Sequence, residues 1–312
     1  MNYRVQHYYH VGIAYLTLES LKSGEYAALL PENGGTVHQI ALSSGKGAPQ
    51  EILQSDHPEE IALNPWFRGR ILFPFDDRIH AGRYRFEGKE YHLPINDPEG
   101  ADALHGFLYA QPLRVLHSES NQQMARAVLE GEVADRPGYP FHLHIRLVYT
   151  LDANGFHIEM HIKNIGDAAA PFSVGWHPYF RSDGSDISHT RLLVPAERYV
   201  EMDEKLVPTG SLRPVQGSEI DFRQPKQIGS LDLDHGFENT DGYMECSTAD
   251  LYIRIEQSDL FSYSQVFVPP DRKSVAMEPI SAAADAFNKP ELGLRILAPG
   301  AKATGQISVS IQ

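Results

Sequence analysis

The chain has 312 residues, enough for one large domain or two of about 150 residues each, and 42% of them are hydrophobic against 22% charged, which excludes a disordered chain. Forty-one acidic residues against 27 basic ones leave a net charge of -14, the wrong sign for attraction to nucleic-acid phosphates or an anionic membrane. Cys246 is the only cysteine, so neither an internal disulfide nor a cysteine zinc site can be assembled, and a reducing, cytoplasmic setting is compatible.

The stretch from Met1 to His7 has no apolar run behind a basic start, and nowhere do about 18 apolar residues follow one another. A soluble protein without a standard export signal is expected. The 25 glycines and 21 prolines are scattered along the whole length, so no linker stands out and one domain over 1–312 is expected. In chain order, short alternation first appears at 84–93, around a turn at Glu87, Gly88 and Lys89. The clearest pattern follows, with Phe141, Leu143, Ile145, Leu147 and Tyr149 alternating with His142, His144, Arg146 and Val148. A turn at Asp152 to Gly155 leads into Phe156, Ile158, Met160 and Ile162, which predicts an antiparallel hairpin. Further alternations lie at 251–256, 261–268 and 307–311. The best helical candidate, 281–287, is short and hemmed by Pro279 and Pro290. An all-β fold of two large antiparallel sheets packed face to face is the economical reading.

Several chemistries are missing. The stretches at 45–47 and 88–90 lack the spacing and hydroxyl of a phosphate loop, and neither a nucleophile elbow nor a dinucleotide glycine fingerprint is present. His142 and His144 could share one face of a strand and bind zinc with a third ligand, but a solvated polar face explains them as well.

Three segments mix catalytic residue types with aromatics: Leu104, His105, Gly106, Phe107; then Val174 to Phe180, containing Trp176 and His177; then Met277, Glu278, Pro279, followed by Asp285 and Asn288. Singly, each has a dull account in turn capping, a satisfied core histidine or a surface charge. Together they are ordered as in a known family. An early block of Phe75, Asp76, Asp77, Arg78 and Ile79 is followed by His105 in Leu-His-Gly and His177 in His-any-Tyr-Phe. Asp234 in Asp-His-Gly-Phe, Gln265 in Gln-Val-Phe and Glu278 in Glu-Pro complete the series. From about Leu29 onward the chain resembles the aldose 1-epimerase (galactose mutarotase) family, which implies a large antiparallel β-supersandwich, the galactose mutarotase-like fold.

That resemblance implies interconversion of the α and β anomers of a free aldose. A base takes the C1 hydroxyl proton while an acid protonates the ring oxygen, the ring opens, and it recloses with the roles reversed. Glu278 would be the base and His177 the acid, with no metal and no redox cofactor required. His105 and Arg78 would hydrogen-bond the ring oxygen or nearby hydroxyls, Asp234 and Gln265 would read other hydroxyls, and Trp176 or Phe107 would lie against the sugar's apolar face. Asp77 stands where the family commonly has Asn, Phe107 replaces a second glycine, and Gly-Trp-His-Pro replaces a Thr-Asn-His setting, differences that bear on the identity of the sugar. The expected partner is a small-molecule sugar, with neither nucleic acid nor membrane, and the protein is expected as a monomer or homodimer. Arg68, Arg70, Arg78, Arg83 and Arg85 crowd one region and keep a hexose-6-phosphate 1-epimerase open as an alternative. So does a non-catalytic sugar-binding protein that kept the groove.

Overall fold

Alternating apolar residues build long antiparallel strands whose faces divide between core and exterior. The computed structural model describes residues 2–45, 47–98, 100–182, 186–204 and 207–312. Among them, Tyr3–His10, Ile13–Ser20, Tyr26–Leu30, Thr36–Leu42 and Gln50–Glu51 form a five-stranded meander. The predicted hairpin forms as Leu143–Asp152 paired with Gly155–Asn164, at the heart of a nine-stranded sheet. Lys302–Ile311 pairs beside it and carries the predicted alternation at 307–311, and Tyr252–Gln257 follows. The alternation at 84–93 becomes the small hairpin Arg83–Phe86 and Lys89–His92. The helical candidate at 281–287 is folded into turns instead, with Asp285 in the left-handed region at φ 55°.

An eight-stranded sheet carries the chemistry. Across it run Asp234–Glu238, Tyr263–Phe267 and Ser274–Ile280, with Gly175–Trp176 and Tyr179–Arg181 both on the far edge of the last strand. Phe180, Phe237, Val266, Val275 and Met277 project to one side, into a contiguous apolar cluster that also takes in Leu147, Ile158 and Leu16 from the other two sheets. Each of these has neighbours that point the opposite way. Asp234, Gly236, Gln265, Phe267, Ala276, Glu278 and Tyr179 therefore share the other face. Among the described residues no helix is long and apolar enough to cross a membrane.

Candidate active site

Strand register does most of the assembly. Gly236 lies opposite Gln265, and Gln265 opposite Glu278, so three adjacent strands place the amide and the carboxyl side by side, with Asp234 two residues along. Gln265 Nε2 donates to Asp234 Oδ1 at 2.6 Å. A Cβ on Gly236 would stand 3.1 Å from the Gln265 side-chain oxygen, so the glycine keeps that amide uncrowded.

His177 is delivered by the bend between Gly175–Trp176 and Tyr179–Arg181. Its N–H donates to the Arg70 carbonyl at 3.0 Å and its carbonyl accepts the Gly69 N–H at 2.8 Å. The ring stacks on Tyr179, with centroids 4.9 Å apart and planes 8° from parallel. Its Nδ1 lies 3.5 Å from Glu278 Oε1 and has no hydrogen-bond partner among the described residues. His177 is 6% exposed and Glu278 3%, so both meet solvent only through the cavity.

His105 completes the imidazole side. Its backbone is left-handed at φ 61°, and Gly106 follows at φ 75°, where a Cβ would come within 2.2 Å of the Phe73 carbonyl oxygen. Only glycine fits there, which is the local reason for the Leu-His-Gly sequence. The His105 ring lies edge-on to His177 at 5.2 Å and against Phe67 at 4.5 Å. Its Nδ1 meets the Asp76 carbonyl at 3.2 Å. A carbonyl only accepts, so Nδ1 carries the proton and neutral His105 offers Nε2 as an acceptor.

Arg78 sits among carboxylates, 3.6 Å from Asp77, 3.7 Å from Asp234 and 3.9 Å from Asp102. The cavity these residues line measures about 780 Å³, within the roughly 300–1,000 Å³ range of ligand clefts. Asp77, Arg78, His105, His177, Asp234, Gln265 and Glu278 all face it.

Burial sets the protonation pattern. Desolvation pushes Glu278 well above the usual carboxylate range, and Asp77, Asp234 and Asp76 add to the effect. Desolvation also holds His177 well below the usual imidazole value, helped by His105 and Arg68. His105 is held down to about 4, again chiefly by burial. Asp234 and Asp77 are raised by burial and pulled back by Arg78. For Arg78, burial acts to lower the pKa and is outweighed by the carboxylates of Asp77, Asp234, Asp102 and Asp97. The Glu278 and His177 pair is thus biased towards two neutral groups holding one proton between them. One proton donor and one acceptor on adjacent groups suit acid/base chemistry on two oxygens of one carbon.

A family profile described as aldose 1-epimerase matches residues 18–310. The chain belongs to the aldose 1-epimerase family. Across 265 residues it is 30% identical to YihR of Escherichia coli K12, described as an uncharacterized protein, covering 81% of this chain and 84% of that one. It is 33% identical over 204 residues to human galactose mutarotase, covering 63% of this chain and 57% of the human protein. Among solved structures, a galactose mutarotase-like protein from Clostridium acetobutylicum superposes with a TM-score of 0.87 at 20% identity, covering 100% of this chain and 99% of that one. Galactose 1-epimerase from Lactobacillus acidophilus NCFM gives 0.83 at 20% identity, covering 99% and 98%. These two likenesses establish the galactose mutarotase-like fold.

Within this family frame, some sequence expectations need correcting. Trp176 is not a sugar platform: it is 0% exposed, belongs to the core cluster, and donates from Nε1 to the Gly69 carbonyl at 3.2 Å. Phe107 also turns inward, edge-on to Phe75 at 5.9 Å and packed against the core. The aromatics that do line the cavity are Trp66, Phe67, Tyr109, Tyr179 and Phe267. Tyr179 was within reach of sequence reasoning, two residues after His177 in the same motif. Trp66 and Phe67 lie in an irregular loop with no periodicity to place them.

The arginine crowding does not converge either. Only Arg78 of the five lines the cavity. Arg70 is buried and donates to Asn64, Thr36 and the Ile61 carbonyl, and Arg68 pairs with Asp56 at 2.7 Å. Arg85 pairs with Glu90 on an exposed hairpin at 3.0 Å, and Arg83 is exposed beside it. His142 and His144 contact Asp135 at 2.9 Å and Glu130 at 3.1 Å respectively. Among the described residues no group of three or more His, Cys, Asp or Glu side chains could hold a metal ion.

Proposed function

We propose that the protein is an aldose 1-epimerase that interconverts the α and β anomers of a free aldose. The observation that carries this reading is the 3.5 Å approach of His177 Nδ1 to Glu278 Oε1 in a cavity otherwise furnished with hydroxyl-reading groups. The exocyclic and ring oxygens of a hemiacetal are bonded to the same carbon. Two groups this close can address both at once.

When the shared proton passes from Glu278 to His177, the Glu278 carboxylate takes the proton of the C1 hydroxyl while His177 gives its proton to the ring oxygen. The bond from C1 to the ring oxygen breaks and the C1 carbonyl forms. Rotation about C1–C2 presents the opposite carbonyl face, and reclosure runs the two transfers backwards, so protons and electrons balance over the cycle. His105, neutral with Nε2 as acceptor, takes a hydrogen bond from a sugar hydroxyl and cannot donate one to the ring oxygen. Arg78 donates to hydroxyl oxygens, and Asp234 and Gln265 fix the ring's rotation about the C1 edge.

Exchange between anomers at equilibrium, followed by NMR on galactose, glucose, xylose, arabinose and glucose 6-phosphate, tests this reading. Acceleration over buffer for at least one free sugar is expected. A preference above tenfold for the 6-phosphate would overturn the choice of a free aldose, and no acceleration for any sugar, with binding retained, would leave a sugar-binding protein.

A further inference from the structure

Asp76 immediately precedes two cavity residues, yet its own carboxyl points away from the cavity into the protein, 2% exposed. Its Oδ1 accepts the Ser173 hydroxyl at 2.7 Å. Its Oδ2 accepts the Ser281 N–H at 2.8 Å, the Ala282 N–H at 3.0 Å and the Ser281 hydroxyl at 3.2 Å. Four donors converge on one carboxyl; burial pushes its pKa up to about 7, and the donors from Ser173, Ala282 and Ser281 pull back against that rise.

The donors belong to the segments that deliver the acid and the base. Ser281 and Ala282 directly follow the Ser274–Ile280 strand, three and four residues after Glu278. The Ser281 hydroxyl also accepts the Val174 N–H at 2.8 Å, three residues before His177. From the backbone of the same residue, the Asp76 carbonyl holds His105 Nδ1.

We infer that Asp76 is a positioning residue of the acid/base site: its carboxylate clamps the ends of the segments bearing Glu278 and His177, and its carbonyl fixes the ring orientation and tautomer of His105. This rests on the reading under Proposed function. Asp76 touches no substrate, so its effect falls on turnover through geometry, where displacements of about 1 Å cost roughly a hundredfold.

The test compares Asp76→Ala and Asp76→Asn with the wild-type protein. Asp76→Ala is expected to lower kcat for anomer exchange by ten- to a hundredfold with KM within threefold. Asp76→Asn, whose amide oxygen still accepts the Ser281 and Ala282 N–H groups, is expected to fall between Ala and wild type. Hydrogen exchange at the Ala282 amide should speed up in the same order, whereas the Ser281 N–H is also held by the Val174 carbonyl at 2.9 Å. If Asp76→Ala does not fold, Asp76→Asn alone must show a lowered kcat with KM within threefold. Wild-type kcat in a folded variant, KM rising in step with the loss, or unchanged exchange at the Ala282 amide overturns the inference. Nitrogen NMR of the His105 ring in the sugar-free wild type is expected to show a protonated Nδ1 and a bare Nε2, and the reverse overturns the carbonyl's part. The amide and ring measurements need no activity, so a protein without anomer exchange would defeat the functional reading and leave them standing.

Discussion

Replacing Glu278 by Gln keeps the side chain's shape and removes its capacity to accept the C1 hydroxyl proton. Proton transfer by a positioned side chain contributes about 10²- to 10⁴-fold, or roughly 2.7–5.4 kcal/mol at 1.36 kcal/mol per tenfold. The burial of the Glu278 carboxyl, 3% exposed, argues for the upper half of that range, because bulk water has little access to stand in as base. The stability effect has the opposite sign. Glu278 has its folded pKa raised by burial, so its contribution is fully present below the unfolded value, near 4.5, and is lost as pH climbs to the raised value. Glu278→Gln removes that loss, and the variant should be at least as stable as wild type at neutral pH. Equilibrium exchange NMR gives the rate and thermal melts across pH give the stability. An exchange rate within threefold of wild type in a folded, sugar-binding Glu278→Gln protein would refute the assignment of the base.

Other consequences follow from the same geometry. The working state of the Glu278 and His177 pair holds one proton, lost above the raised Glu278 value and doubled below the depressed His177 value. The kcat profile should therefore have its acid limb below the ordinary imidazole value of about 6.5 and its alkaline limb above the ordinary carboxylate range, and an acid limb at or above 6.5 would contradict the direction of the His177 shift. Trp176→Ala should destabilise the fold by about 3–5 kcal/mol as a core truncation, measured by denaturant unfolding, while the folded protein keeps its KM within a few-fold. A large rise in KM without lost stability would return Trp176 to the sugar. Gly106→Ala should lower both stability and turnover, since its Cβ would collide with the Phe73 carbonyl and displace His105. Wild-type turnover in that variant would separate His105 placement from catalysis.

The all-β fold was legible because strands leave a period of two wherever one face is buried. Phe141 to Ile162 shows this over two full strands, and the paired strands Leu143–Asp152 and Gly155–Asn164 realise it. The motifs around His105, His177, Asp234, Gln265 and Glu278 stood out through their order, which resembles that of a known family, and the structure supplies a local reason at Gly106 and Gly236, where a Cβ would crowd the Phe73 carbonyl and the Gln265 amide. Trp176 was misread because a two-residue strand has no periodicity to say which face it takes. Trp66 and Phe67 were missed because an irregular loop positions side chains by tertiary contacts alone. Asp76 and Asp77 look alike in sequence, yet the bend they occupy just before the Arg78–Ile79 strand sends one carboxyl to the interior hydrogen-bond cluster and the other to the cavity.

A crystal structure with an aldose bound to the Glu278→Gln protein tests the central claim most directly. The C1 hydroxyl is expected within hydrogen-bonding reach of residue 278 and the ring oxygen within reach of His177, with the remaining hydroxyls turned towards Arg78, Asp234 and Gln265. A sugar seated with its C1 edge away from both side chains would contradict that claim.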